Sequence, residues 1–346
     1  MQQAIKQYHR LLCKEGIPSF LTEYVQAKEM KRLQKIGLYC GTEYTALYKQ
    51  RYFYSRYDHS LAAALIVWHF THDKIQTLAA LFHDISTPVF SHSIDYMNGD
   101  ALTQESTEGK TAEVILRSRE IMQLLRADGI AAEKVVDYHQ YPIADNDTPQ
   151  LSADRLEYTF ATCLIWHQMW NEAQIQNLYE DLSIQKNEYG EEELCFMQLK
   201  SAEAFVKGSV CVNEEFLKNE NKLSLSFIGD MMRHAIDRRI FTMDDLYTLT
   251  EEQALQRLQA SEHQDLQSVW HAFTKLTKIK RSDIQPGRGY HVHMDTKKRY
   301  INPLVLQNGR PMRVMERSPE ARQALLYLLS YEDSPYGYVD FNFEQR

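Results

Sequence analysis

From Leu61 to Phe70 the residues are apolar almost all the way round a helix, with no polar stripe to face water, which marks a buried helix. Directly before it stands Ser55-Arg56-Tyr57-Asp58-His59-Ser60, so a guanidinium and an imidazole lead into that apolar stretch. Two further segments repeat the conflict. In Leu81-Phe82-His83-Asp84-Ile85-Ser86-Thr87-Pro88-Val89-Phe90-Ser91-His92, the pair His83-Asp84 follows the apolar run Leu78–Phe82, and Pro88 breaks the helix. In Ser152-Ala153-Asp154-Arg155-Leu156-Glu157-Tyr158, Asp154 sits in a similar apolar helical context. Burying such groups without partners costs several kcal/mol, so they are expected to share one. One divalent cation serves two imidazoles and two carboxylates together, and mixed N and O ligation suits Mn, Fe, Ni, Co or Zn better than Mg.

Most of the first 280 residues read as helix. Val114, Ile115, Leu116, Ile121, Met122, Leu124 and Leu125 follow helical spacing, with Gly129 placed as a C-terminal cap. Thr242 with Asp245 and Thr250 with Gln253 fit capping boxes, the first loosely. Leu182 to Leu199 reads as a hairpin turning at Asn187–Gly190. Near Ile284 the character changes. Gln-Pro-Gly-Arg-Gly breaks any helix, Tyr290–Met294 and Arg299–Leu306 alternate like strands, and Asn308-Gly309 is a hairpin turn before a returning strand at Met312–Met315. Ser318-Pro319-Glu320 then opens a helix. The expected architecture is mainly α: a helical domain over residues 1–280 and a small α+β lobe over 281–346.

The three polar segments resemble the HD superfamily of metal-dependent phosphohydrolases, and within it the deoxynucleotide triphosphohydrolases and their bacterial relatives. Their first motif reads Arg-Phe-x-His-Ser-Leu and their second His-Asp-x-Gly-His-x-Pro-Phe-Ser-His. The likeness covers roughly residues 30–165 and fades towards 260. It implies an HD-type helical bundle whose metal ligands are His59, His83, Asp84 and Asp154. It also implies that Arg56, one helical turn before His59, contacts substrate phosphate, a task that suits a planar guanidinium. His92 matches an active-site histidine of the family, with Asp95 three residues on to orient it. Glu105 and Tyr158 are further candidates to line the substrate pocket. The chain departs from the pattern where the family has a glycine and a second histidine after the His-Asp pair, here Ser86 and Thr87. It departs again where His-Glu is common, here Gln104-Glu105, and where a sugar-recognising glutamine is replaced by Leu38.

Two functions follow as expectations. The first is metal-assisted hydrolysis of a phosphoester or phosphoanhydride in a small phosphorylated substrate, most naturally a nucleotide. The second is a regulatory protein that binds nucleotide and metal with little turnover, since Thr87 and Gln104 stand where catalytic-looking histidines are expected. Resembling enzymes are commonly oligomers, so at least a dimer is expected. A net charge of −8 makes the chain a poor candidate for general binding to DNA or RNA backbones, and none is expected. Five scattered cysteines without a Cys-x-x-Cys pair argue against a disulfide framework or a structural zinc site. With no signal core and no membrane-length apolar run, the cytoplasm is the expected compartment and no membrane partner is expected. Lys297-Lys298-Arg299 reads as a solvated hairpin tip, His291 and His293 as strand surface, and His69 and His72 as helix-end residues.

Overall fold

The computed structural model describes residues 2–106 and 108–345. Helix α1 (Gln2–Leu12) lies against α2 (Arg56–Thr71), which packs between α3 (Lys74–Phe82) and α4 (Ala153–Ile165). Every residue from His59 to Val67 is buried, as a helix without a polar stripe requires. A capping box fixes where α2 begins: Ser55 Oγ accepts from the Asp58 amide at 3.2 Å, and the Asp58 carboxylate accepts from the Ser55 amide at 3.1 Å. That box occupies Asp58, the neighbour otherwise available to pair with Arg56 or to satisfy His59. Asp73 caps α3, accepting from the amides of Ile75 and Gln76. The helix stops at Phe82, which leaves His83 and Asp84 at its C-terminal end. Ser152 caps α4, so Asp154 falls in its first turn, where the helix dipole favours a carboxylate.

The later helices close the bundle. Helix α5 (Leu199–Leu217) packs on α4, α6 (Asn219–Asp237) on α5, and α7 (Pro319–Ser330) on α5. Helix α6 also crosses the short helix Ser93–Met97 at Gly229, where a Cβ would stand 2.8 Å from the Ser93 carbonyl oxygen and 2.9 Å from the Met97 nitrogen. Only glycine permits that approach, and the approach places His92 at the head of the short helix. The capping boxes at Thr242 and Thr250 and the Ser318 cap all form. The helical spacing over 114–125 is split into Thr111–Arg117 and Arg119–Ala127, because Ser118 is extended and caps the second piece. The apolar period runs on across the break since Ile115, Ile121 and Leu125 still enter one core.

The strands are β1 (Leu182–Lys186), β2 (Glu192–Phe196), β3 (Lys280–Ser282), β4 (His291–Val292), β5 (Leu304–Gln307), β6 (Arg310–Arg313) and β7 (Tyr336–Tyr338). Hairpin β1–β2 turns through residues 187–191, and hairpin β5–β6 through Asn308 and Gly309, which both take positive φ. Strands β2 and β5 pair in parallel, giving one sheet in the order β1-β2-β5-β6, while β3, β7 and β4 form a second. Residues 281–345 are thereby joined to the earlier hairpin through β5, and to α5 through α7. Two strand expectations need correction. Residues 299–303 form an irregular strap, because the Asn302 amide donates to the Pro149 carbonyl at 2.9 Å and Pro303 has no N–H for a ladder. The returning strand ends at Arg313, where Val314–Glu316 turn into a 3₁₀ helix. All five cysteines are free thiols, and among the described residues no helix is long and apolar enough to cross a membrane.

Candidate metal centre

Three helix ends deliver the central atoms. His59 Nε2 from α2 lies 3.1 Å from His83 Nε2 at the end of α3 and 3.0 Å from Asp154 Oδ1 in α4. His83 Nε2 lies 3.6 Å from the same Asp154 oxygen, and the three donors all fall within 4.8 Å of one another. Asp84 Oδ2 flanks this triad, 3.4 Å from His83 Nε2 and 3.9 Å from His59 Nε2. Donors sharing one ion at about 2.0–2.2 Å would be spaced on this scale.

The hydrogen bonds behind the triad decide what it lacks. His83 Nδ1 is 2.7 Å from the Ala80 carbonyl, which can only accept, so that nitrogen carries the proton and Nε2 of the neutral ring is a lone pair. His59 Nδ1 is bonded to the Glu157 carboxylate in the same sense. Two lone pairs and a carboxylate oxygen therefore meet with nothing positive between them. The residues fit a divalent cation. Otherwise protons must supply the charge. Burial by itself lowers the His59 pKa, but the Glu157 and Asp154 carboxylates outweigh it and lift the ring to about 10. His83 is raised in the same way, burial being overcome mainly by Asp84. Asp154, which burial would raise, is held at about 2 by the two imidazoles.

Arg56 is buried, not on the surface. Its Nη1 donates to Asp84 Oδ2 at 2.9 Å, its Nε to Ser91 Oγ at 3.1 Å and its Nη2 to the Leu38 carbonyl at 3.4 Å. Burial would raise the Asp84 pKa, but this guanidinium drives it well below the usual carboxylate range. Thr87 Oγ1 donates to the other Asp84 oxygen at 2.9 Å, so this threonine orients the carboxylate. Ser91 reaches Arg56 from a left-handed turn, with φ of 60° at Phe90 and 48° at Ser91. Such conformations cost about 1–3 kcal/mol each and persist where surroundings over-determine them.

Two cavities meet at these atoms. A polar one of about 570 Å³ opens outward past His83, Asp84, Asp154, Tyr138 and Asp145. A narrower one of about 140 Å³ runs inward between Leu38, Tyr39, Trp166, Phe216 and Leu225. Arg56, His92, Asp154, Tyr158 and Arg299 line both. His92 Nδ1 sits 2.9 Å from Asp95 Oδ2, and Asp95 is itself wholly buried and accepts from Ser106 Oγ. Burial lowers the His92 pKa, against the pull of Asp95, which favours the neutral ring. Glu105 stands exposed at the outer rim, 3.5 Å from Lys297 Nζ. In the inner chamber, Tyr39 Oη faces Thr162 Oγ1 without either making a well-formed hydrogen bond.

Among the sequence-derived candidates, His59, His83, Asp154 and Asp84 converge. Arg56, His92 and Tyr158 border the same space, Asp95 supports His92, and only Glu105 is peripheral. Two residues were missed. Glu157 lies one turn after Asp154 in an apolar helix, and an acid there is a readable signal. Arg299, expected at a solvated tip, enters the cavity through a contact with Gln104 that spans 195 positions, and local sequence carries no sign of it.

No family model matches the chain. It is 24% identical over 293 residues to the uncharacterized protein YdhJ of Bacillus subtilis (strain 168), covering 84% of this chain and 85% of that one. It is 32% identical over 142 residues to the metal-dependent phosphohydrolase cns2 of Cordyceps militaris, a match over 40% of this chain and 39% of that protein. Among solved structures, a hypothetical protein from Aquifex aeolicus superposes with a TM-score of 0.65 at 16% identity, over 94% of this chain and 93% of the other. A phosphohydrolase from Bacteroides thetaiotaomicron VPI-5482 does so with 0.59 at 14% identity, over 93% and 96%. The fold is shared. It is shared along nearly the whole chain.

Proposed function

We propose that this chain is a metal-dependent phosphohydrolase of the HD superfamily, acting on a phosphoester or phosphoanhydride of a small substrate, most naturally a nucleotide. The carrying observation is the meeting of two imidazole lone pairs and the Asp154 carboxylate at the junction of two cavities. The name of the Cordyceps relative and that of the Bacteroides neighbour support the same chemistry. His59, His83 and Asp154 would hold the ion, with Asp84 as fourth ligand, and the N and O donors favour Mn, Fe, Ni, Co or Zn over Mg. A divalent ion there supplies Lewis acidity and lowers the pKa of water towards neutrality. The chain's own groups do the rest. Glu157 holds His59 in the tautomer that offers Nε2, and Arg56 holds Asp84 while its remaining N–H groups face the phosphate. His92, kept neutral by burial and oriented by Asp95, stands beside the leaving group, where an incoming dianion would raise its pKa and make it a donor. Tyr158 lines the path between mouth and chamber, and Glu105 marks the rim.

The deciding experiment is phosphate release from a panel of nucleotides and phosphomonoesters, with each metal added in turn. Release that depends on added metal and vanishes in a His83→Ala, Asp84→Ala variant is the expected result. No release from any substrate, with metal bound, would leave the binding-only reading in its place.

A further inference from the structure

The cations around the outer cavity differ in how they are balanced. Arg56 faces Asp84 at 2.9 Å, Arg155 faces Asp145 at 3.6 Å and Lys297 faces Glu105 at 3.5 Å. Arg299 borders both cavities and, among the described residues, forms no ion pair. Its Nη2 donates at 2.8 Å to Gln104 Oε1, a neutral oxygen. An amide there fixes the guanidinium without cancelling its charge, and leaves most of its five N–H groups for another acceptor.

The mounting is built in. Gln104 is buried, and its Nε2 donates to the Ala101 carbonyl at 3.2 Å and to Thr296 Oγ1 at 3.3 Å, so its oxygen must face the arginine. Thr296 is bonded in turn to Tyr96 at 2.9 Å. The strap carrying Arg299 is pinned on both sides, the Lys297 amide donating to Ala101 and the Asn302 amide to Pro149. Gln104 takes up this position at φ 56°, a left-handed conformation unusual for a residue with a side chain.

We propose that Arg299 is the substrate's anion receptor: its guanidinium, positioned by Gln104, takes the oxygens of the phosphate that enters the metal cavity. This rests on reading the site as a phosphohydrolase. It assigns the exchangeable cation to the strap, since most of Arg56's bonding capacity is already spent within the protein. A planar fork matches phosphate oxygens two at a time, which a lysine cannot do.

The test titrates inorganic phosphate calorimetrically into the metal-loaded full chain, with metal content measured alongside. Arg299→Gln is expected to weaken phosphate binding about tenfold or more with metal content unchanged, and Arg299→Lys to fall between. Gln104→Glu keeps the arginine but places a carboxylate on it, and is expected to weaken binding as much. That second variant keeps the test valid should Arg299→Gln fold poorly. Arg322→Gln, on an exposed face of α7, serves as the control. Parent-like affinity in both Arg299→Gln and Gln104→Glu overturns the proposal, as does a parent that binds no phosphate. If phosphate binds through Arg299 but no substrate is hydrolysed, the hydrolase reading fails alone. If substrates are hydrolysed and the variants keep the parent's KM and phosphate affinity, the role of Arg299 fails alone.

Discussion

Glu157 Oε1 accepts from the phenols of Tyr8 and Tyr54 at 3.2 and 2.6 Å, while Oε2 meets His59 Nδ1, all out of reach of water. A carboxylate behind a ligating imidazole fixes its orientation and raises its basicity, and losing it typically costs about 10–100-fold in metal affinity. Glu157→Gln is expected to weaken metal binding on that scale, read by titration against a competing chelator; unchanged affinity would mean that His59 is oriented by packing alone. Arg56→Lys should instead leave metal content intact and lower turnover per metal by about one to two orders of magnitude, because an ammonium keeps the charge but loses the two-pronged geometry that matches phosphate oxygens. Turnover equal to the parent's would reduce Arg56 to a structural ion pair. The candidate ligands were legible because an isolated imidazole or carboxylate in an apolar stretch is a local anomaly. Arg299 was not, because a basic residue in a polar segment looks the same whether it faces solvent or a cavity.

Helix boundaries were legible for the same local reason. A capping box is a contact between residues three apart, and Thr242 and Thr250 both make theirs. The division at Ser118 was not, since the apolar spacing on its two sides serves one core. Nor was the close crossing at Gly229, which depends on a helix about 130 residues earlier. Gly229→Ala tests that crossing. Alanine favours a helix interior over glycine by about 1 kcal/mol, but here its methyl meets backbone atoms at 2.8 and 2.9 Å that no rotamer change can relieve. Overpacking costs about 1–3 kcal/mol, so net destabilisation in urea unfolding and displacement of His92, seen as reduced turnover, are expected. A stabilised, fully active variant would contradict the crossing.

At the scale of the molecule, Glu251 ties distant parts together, its buried carboxylate accepting from the amides of Gly37 and Phe90 and the phenol of Tyr44. Burial, with Glu43 beside it, lifts its pKa to about 8 from 4.5. A carboxyl that binds its proton more tightly when folded adds stability below its unfolded pKa and loses it as pH rises through the folded value. Between about pH 5 and pH 8 the parent should therefore lose stability relative to Glu251→Gln; parallel curves of unfolding free energy against pH would exclude a protonated Glu251. Assembly into at least a dimer is checked by light scattering at micromolar concentration, where monomer throughout would remove it.

The parallel pairing of β2 with β5, and the strap that leads into β5, also set an order of events during synthesis. Asp154 completes the candidate ion-binding triad 145 residues before Arg299 is made, a delay of roughly 7–30 s at about 5–20 residues per second. An ion held by that triad would then precede the wall that Arg299 completes, so metal loading and substrate admission would be separated in time by the order of the chain.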